Sequence, residues 1–158
     1  MFEIVPLKLQ HLDEMYEIEK LCFSVPWTKD QLKNDIKKPE SVYFAALENG
    51  RLTGYAGMWH VVNEGHITNI AVEPAHRRRG IGAALLDAII AEAHKRGMIG
   101  LLLEVRVGNY AAQGLYLKNG FELERIRTNY YSDTGENAYV LWKTLETNKD
   151  GKYGGVKI

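Results

Sequence analysis

Residues 70–82 read IAVEPAHRRRGIG. A run of strand formers ends there, a short basic loop follows, and Gly80 and Gly82 open a long helical pattern. Glycine at such a place lets backbone N–H groups approach a ligand with no Cβ in the way. A helix start carries unpaired donors and a partial positive charge, which suits a pyrophosphate. Arg77, Arg78 and Arg79 add guanidinium groups that fit phosphate oxygens. Taken alone, the segment reads equally as a solvated basic loop before a glycine-assisted helix. Two nucleotide-binding fingerprints do not fit it. A dinucleotide site needs G-x-G-x-x-G, and Leu85 occupies the third position. A P-loop needs Gly-Lys-Ser/Thr, and Ala83 and Ala84 follow Gly82.

Glu104 interrupts an apolar run of Leu101, Leu102, Leu103 and Val105. A strand this apolar is expected to be covered on both faces. A carboxylate there carries a desolvation cost and points to a purpose. The plain alternative is a strand-end glutamate that faces water. In the segment NYAAQGLY, Asn109, Ala112 and Tyr116 share one helical face. Asn109 can cap the helix, and the small Ala112 leaves room beside Tyr116. By itself this pattern makes Tyr116 a core aromatic and Asn109 a cap only.

The elements that hold these residues follow from periodicity and punctuation. Residues 2–5 read as a short strand and 8–22 as a helix. Pro26 and Trp27 break that helix, and Thr28 caps a second one over 29–37. Strands are predicted over 42–48 and 51–61, joined at Asn49-Gly50, a strong hairpin signal. A further strand over 66–72 ends at Glu73-Pro74. The longest helix runs over 80–96, with Ile81, Leu85, Ile89 and Ala93 in one row and Gly97 as its stop. Then come a strand over 99–106, a helix over 110–119, and strands over 121–127 and 137–144 around a polar loop. The order is β-α-α-β-β-β-α-β-α-β-β, an α/β chain with a mixed sheet and helices packed on it. Residues 1–145 are expected to form one domain, and the polar, Gly-rich residues 146–158 a tail.

Composition narrows the function classes. Lys plus Arg and Asp plus Glu both count 20 in 158 residues, so the formal net charge is zero. A dedicated nucleic-acid binder carries a basic excess for phosphate contacts, so no nucleic-acid partner is expected. No stretch approaches the ~18 apolar residues of a membrane span. The N-terminus shows no secretory pattern, so the expected location is the cytoplasm. The single cysteine, Cys22 between Leu21 and Phe23, reads as a packed side chain rather than a nucleophile. The histidines at 11, 60, 66, 76 and 94 show no metal-ligand spacing and are read as structural; no metal is expected.

The combination is more specific than its parts. The order IAV, R-x-x-G-x-G, helix, LLLEVR, N-x-x-A-x-x-L-Y, N-G-F resembles the GCN5-related N-acetyltransferase (GNAT) superfamily over residues 2–145. F-S-V-P-W (23–27), T-N-I-A-V (68–72), L-E-V-R (103–106) and N-Y-Y followed by G-E-N-A (129–138) resemble the RimI-type group of bacterial ribosomal-protein-alanine acetyltransferases. The resemblance implies a mostly antiparallel mixed sheet of about seven strands with four helices. It implies acetyl-CoA as co-substrate and a protein N-terminal α-amine as acceptor, an alanine of a small-subunit ribosomal protein. Residue by residue, it implies that the backbone of Ile70, Ala71 and Val72 lines the pantetheine arm. Arg77, Arg78, Arg79, Gly80, Ile81 and Gly82 would hold the pyrophosphate, and Asn109 would touch the arm. Glu104 matches the family's general base and Tyr116 its general acid. Phe23, Val25 and Pro26, with Tyr130 and Tyr131, match the loops that grip a peptide's first residues. Gly108 departs from the pattern by standing where a serine or similar polar residue is expected, and Gly114 lies inside a helix. A monomer or weak dimer is expected. Other readings of the same residues are a lysine or small-molecule amine as acceptor, a non-catalytic acyl-CoA-binding module, and a nucleotide-binding regulator.

Overall fold

The computed structural model describes residues 1–145; the expected tail over 146–158 lies outside the described residues. Seven strands form one mixed sheet: β1 (Glu3–Pro6), β2 (Ser41–Glu48), β3 (Arg51–Val61), β4 (Glu64–Val72), β5 (Gly100–Arg106), β6 (Glu122–Arg127) and β7 (Ala138–Thr144). Their order is β1-β2-β3-β4-β5-β7-β6. β4 and β5 pair in parallel, whereas β1–β2, β2–β3, β5–β7 and β6–β7 are antiparallel. Four α-helices accompany the strands: α1 (Leu12–Cys22), α2 (Lys29–Lys37), α3 (Ile81–Lys95) and α4 (Tyr110–Lys118). The expected element order therefore holds throughout. The described chain falls into two compact units, Met1–His60 with Ile67–Glu92, and Val61–His66 with the chain from Ala93 onwards.

In the first unit, Asn49 and Gly50 both take positive φ, 53° and 78°, which is the geometry of a two-residue hairpin turn. Thr28 caps α2 by accepting from the Gln31 N–H, and Gln31 reaches back to the Thr28 N–H at 2.8 Å. The helix expected from residue 8 begins instead with a 3-10 turn, Leu9–His11, before α1. Met15 and Ile18 of α1, Leu32 of α2, and Leu52 and Tyr55 of β3 share one buried cluster. Two buried carboxylates tie the helices down. Glu19 of α1 accepts a hydrogen bond from the Tyr55 hydroxyl and another from the Trp27 N–H at 3.0 Å. Asp35 of α2 accepts from the Tyr43 hydroxyl and from the Trp59 indole at 3.0 Å. Buried carboxylates are tolerated when hydrogen-bonded in this way.

The second unit is built around β5. Its side chains alternate: Leu101, Leu103 and Val105 are buried, while Leu102, Glu104 and Arg106 are half-buried. The expectation of cover on both faces is corrected here. Leucine-rich sequence conceals the period of two because Leu102 stands on the less buried face beside the charged residues. Gly97, with φ of 73°, ends α3 as expected. β6 lies at the sheet edge with all six residues exposed. Its charged residues and the irregularity between Leu123 and Arg125 protect such an edge from pairing with other chains.

Candidate active site

The glycine-opened helix stands where the sequence places it. α3 starts at Ile81, immediately after Gly80, and the Ala84 N–H bonds the Gly80 carbonyl at 3.0 Å. Arg78 and Gly80 both adopt left-handed backbone, with φ of 65° and 84°. A non-glycine residue held there is uncommon and marks a loop whose shape matters. The side chains of the arginine run divide their duties. Arg77 Nε donates to the Val72 carbonyl at 3.1 Å and its Nη2 lies 3.4 Å from Cys22 Sγ. Arg79 pairs with Glu48 at 2.9 Å. The side chains of Arg77 and Arg79 thus brace the loop, whose residues from Arg77 to Gly80 are all exposed. Such a loop at the start of a 15-residue helix fits an anionic pyrophosphate.

The strand feeding that loop is packed tightly from beneath. A Cβ on Gly54 of β3 would lie 2.8 Å from the Ala71 carbonyl and 3.3 Å from Ile81 and Leu85. Gly54 therefore lets the end of β4 and the start of α3 close on β3, a role that its sequence context does not signal. Ala71 is buried, while Ile70 and Val72 are half-buried. Cys22 is half-buried, and desolvation pushes its thiol up despite the nearby Arg77. A thiol held protonated is a poor nucleophile. Phe23 and Pro26 are half-buried and Val25 is exposed, on a loop whose far end Glu19 holds through Trp27.

In the second unit, Glu104 lies between two cationic or donor groups. Its Oε1 is 3.0 Å from His66 Nε2, and its Oε2 is 3.6 Å from Arg127 Nε. The His66 hydrogen bond is the largest influence on Glu104 and lowers its carboxyl, outweighing the desolvation that raises it. Glu104 is thus a carboxylate, able to accept, at neutral pH. His66, read from the sequence as structural, is the partner of Glu104. No local spacing marks two residues 38 positions apart; only the parallel register of β4 and β5, which sets His66 against Leu102, brings them together.

The tyrosines gather on the same unit. Tyr116 of α4 is buried, packs edge-on against Phe121 at 5.7 Å, and has its hydroxyl pushed up to about 12, chiefly by burial and then by Tyr131. Tyr130 and Tyr131 meet edge-to-face with centroids 5.0 Å apart. Each has an arginine over its ring, Arg127 at 5.6 Å and Arg106 at 4.0 Å. Burial raises both hydroxyls; at Tyr130 Glu104 adds to it, and at Tyr131 Arg106 opposes it ahead of smaller contributions from Tyr130 and Glu104. Asn109 caps α4 by accepting from the Ala112 N–H at 3.2 Å. Gly108 proves to serve Glu136: its N–H donates to Glu136 Oε2 at 2.8 Å, and a Cβ would crowd that oxygen at 2.7 Å. Among the described residues no group of three or more His, Cys, Asp or Glu side chains is placed to hold a metal ion, and no helix is long and apolar enough to cross a membrane.

The seven-stranded mixed sheet with its four helices is the fold of a CoA-dependent acyltransferase. The chain belongs to the acetyltransferase (GNAT) family, whose profile matches residues 12–121; acetyl-CoA is the acetyl donor of that family. A relative from Bacillus subtilis (strain 168) is 39% identical over 140 residues, 88% of this chain and 93% of the relative. An Escherichia coli (strain K12) relative named [ribosomal protein bS18]-alanine N-acetyltransferase is 36% identical over 140 residues, covering 87% of this chain and 94% of the relative. The crystal structure of the ribosomal-protein-S18-alanine N-acetyltransferase from Escherichia coli superposes with a TM-score of 0.88 at 33% identity, covering 98% of this chain and all of that one.

Proposed function

We propose that the protein transfers an acetyl group from acetyl-CoA to the N-terminal α-amine of a protein, and that the acceptor residue is an alanine of a ribosomal protein. The observation that carries this reading is Glu104 of β5, an ionised carboxylate hydrogen-bonded to His66 of the adjacent strand β4. The acceptor class rests on relatives similar over almost the whole chain, one of which is named for bS18-alanine acetylation.

The amine nitrogen attacks the thioester carbonyl carbon, and the C–S bond breaks. The amine's proton passes to Glu104, directly or through a water. Tyr116 gives its proton to the departing thiolate; burial raises its hydroxyl, which is therefore protonated at neutral pH. An α-amine has a reference pKa of about 7.7–8.0, so part of it is already neutral near pH 7 and one carboxylate suffices. No enzyme thiol takes part. Loop residues Arg77 to Gly82 hold the pyrophosphate mainly through backbone N–H groups, the backbone of Ile70 to Val72 and Asn109 receive the pantetheine arm, and Phe23, Val25, Pro26, Tyr130 and Tyr131 contact the peptide. An acceptor of this kind supports a cytoplasmic location.

Coenzyme A release from a set of short peptides tests the reading. An unblocked peptide beginning with alanine should react fastest. Equal rates on an N-blocked peptide with an internal lysine would make this a side-chain acetyltransferase, and no release with any peptide would return the small-molecule and binding-module readings.

A further inference from the structure

We propose that Arg106 is a positioning residue for the acceptor peptide, fixing the loop that carries Tyr130 and Tyr131 to the strand that carries Glu104. The proposal rests on the peptide-acetylating function above. Arg106 lies two residues after Glu104 on the same half-buried face of β5. From there its guanidinium makes a two-pronged ion pair with Asp133, Nη1 to Oδ1 at 3.1 Å and Nη2 to Oδ2 at 2.9 Å. Nη1 also reaches Thr134 Oγ1 at 3.4 Å and Glu136 Oε1 at 3.3 Å. The same group stacks 4.0 Å from the centre of the Tyr131 ring. One side chain thus engages Tyr131, Asp133, Thr134 and Glu136. The loop closes on itself between, with the Gly135 N–H on the Tyr131 carbonyl at 2.7 Å and the Tyr131 N–H on the Glu136 carbonyl at 3.1 Å.

The geometry has a chemical consequence. Residues two apart on a strand are separated by roughly 6.6–7 Å along a stiff element. The base and the anchor of the aromatic loop are therefore indexed to one ruler. A peptide whose first residue packs on the Tyr130–Tyr131 pair has its α-amine set at a fixed distance from Glu104. Only the planar, multi-donor guanidinium matches this arrangement; an ammonium is a single point charge without the fork. Without Arg106 the loop must be ordered during binding, which weakens the acceptor and leaves the chemistry alone.

Steady-state kinetics on Arg106→Gln, Arg106→Lys and Asp133→Asn, with an alanine-first peptide, tests this. Each should raise the peptide KM by about tenfold, the lysine variant included, with kcat and the KM for acetyl-CoA close to wild type. The Arg106→Gln/Asp133→Asn double variant should be little worse than either single one. An unchanged peptide KM in a folded variant would overturn the proposal, as would a parallel loss for peptide and acetyl-CoA, which marks a merely structural arginine. If Arg106→Gln does not fold, Asp133→Asn, which leaves β5 intact, decides the matter by the same criteria. A wild-type protein that acetylates no peptide α-amine would instead defeat the function on which the proposal rests.

Discussion

His66 and Glu104 meet across the parallel pair β4 and β5, imidazole Nε2 to carboxylate Oε1, at 3.0 Å. The contact lowers Glu104 below its ordinary carboxylate range. A carboxyl lowered on folding stabilises the protein fully above its unfolded value, about 4.3, and loses that contribution as pH falls through its folded value. In His66→Ala the Glu104 carboxyl should move up. The acid step that Glu104 adds to kcat/KM, below the amine's own titration, should move to higher pH, and the variant should lose stability mainly above about pH 4.5. An acid step that stays in place would show that His66 does not tune the base.

Tyr116→Phe removes one hydroxyl from a buried ring that packs on Phe121. The packing remains, so thermal stability should change little, while kcat should fall by about 10²-fold or more if the hydroxyl protonates the thiolate. A kcat close to wild type would leave Tyr116 as a packing residue.

Gly82→Asp puts a carboxylate at the first turn of α3, beside the proposed pyrophosphate cradle. Calorimetric affinity for acetyl-CoA should fall strongly through bulk and like charge, with the fold retained. Unchanged affinity would remove the loop from the cofactor site.

Gly54→Ala tests the same cradle from beneath. The new Cβ would crowd the Ala71 carbonyl at 2.8 Å, and backbone cannot turn aside as a flexible side chain does. Overpacking of this kind costs about 1–3 kcal/mol. Both the melting temperature and the acetyl-CoA affinity should drop. A variant as stable and as tight as wild type would mean that the ends of β4 and α3 yield without consequence.

Much of the fold, and the placement of several candidate site residues within it, is legible in the sequence because local chemistry decides it. Thr28 with Gln31, Asn49 with Gly50, and Gly97 each encode a cap or a turn within a few residues, and the corresponding elements stand where they point. Glu104 is visible as a break in an apolar run and the Gly80 turn as the opening of a helical pattern, whereas Tyr116 reads as a core aromatic until the family resemblance marks it. What stays hidden depends on register and loop closure. His66 reaches Glu104 only because β4 lies parallel to β5. Gly54 matters only once β4 and α3 close on β3. Gly108 looks like a lost polar residue until Glu136 arrives from 28 positions away to accept its N–H. The alternation of β5 is masked because leucine occupies both of its faces.

The role of Glu104 is tested most directly by kcat/KM of Glu104→Gln across pH, with an alanine-first peptide. Glutamine keeps the shape and removes the basicity. Near pH 6.5 the variant should be slower by about 10²-fold, the lower end of general-base effects, since part of an α-amine is already neutral. The deficit should shrink as pH rises through the amine's pKa toward about pH 9, where solution removes the proton instead. An equal deficit at both pH values would make Glu104 a residue that positions the substrate, and full activity near pH 6.5 would remove it from the mechanism.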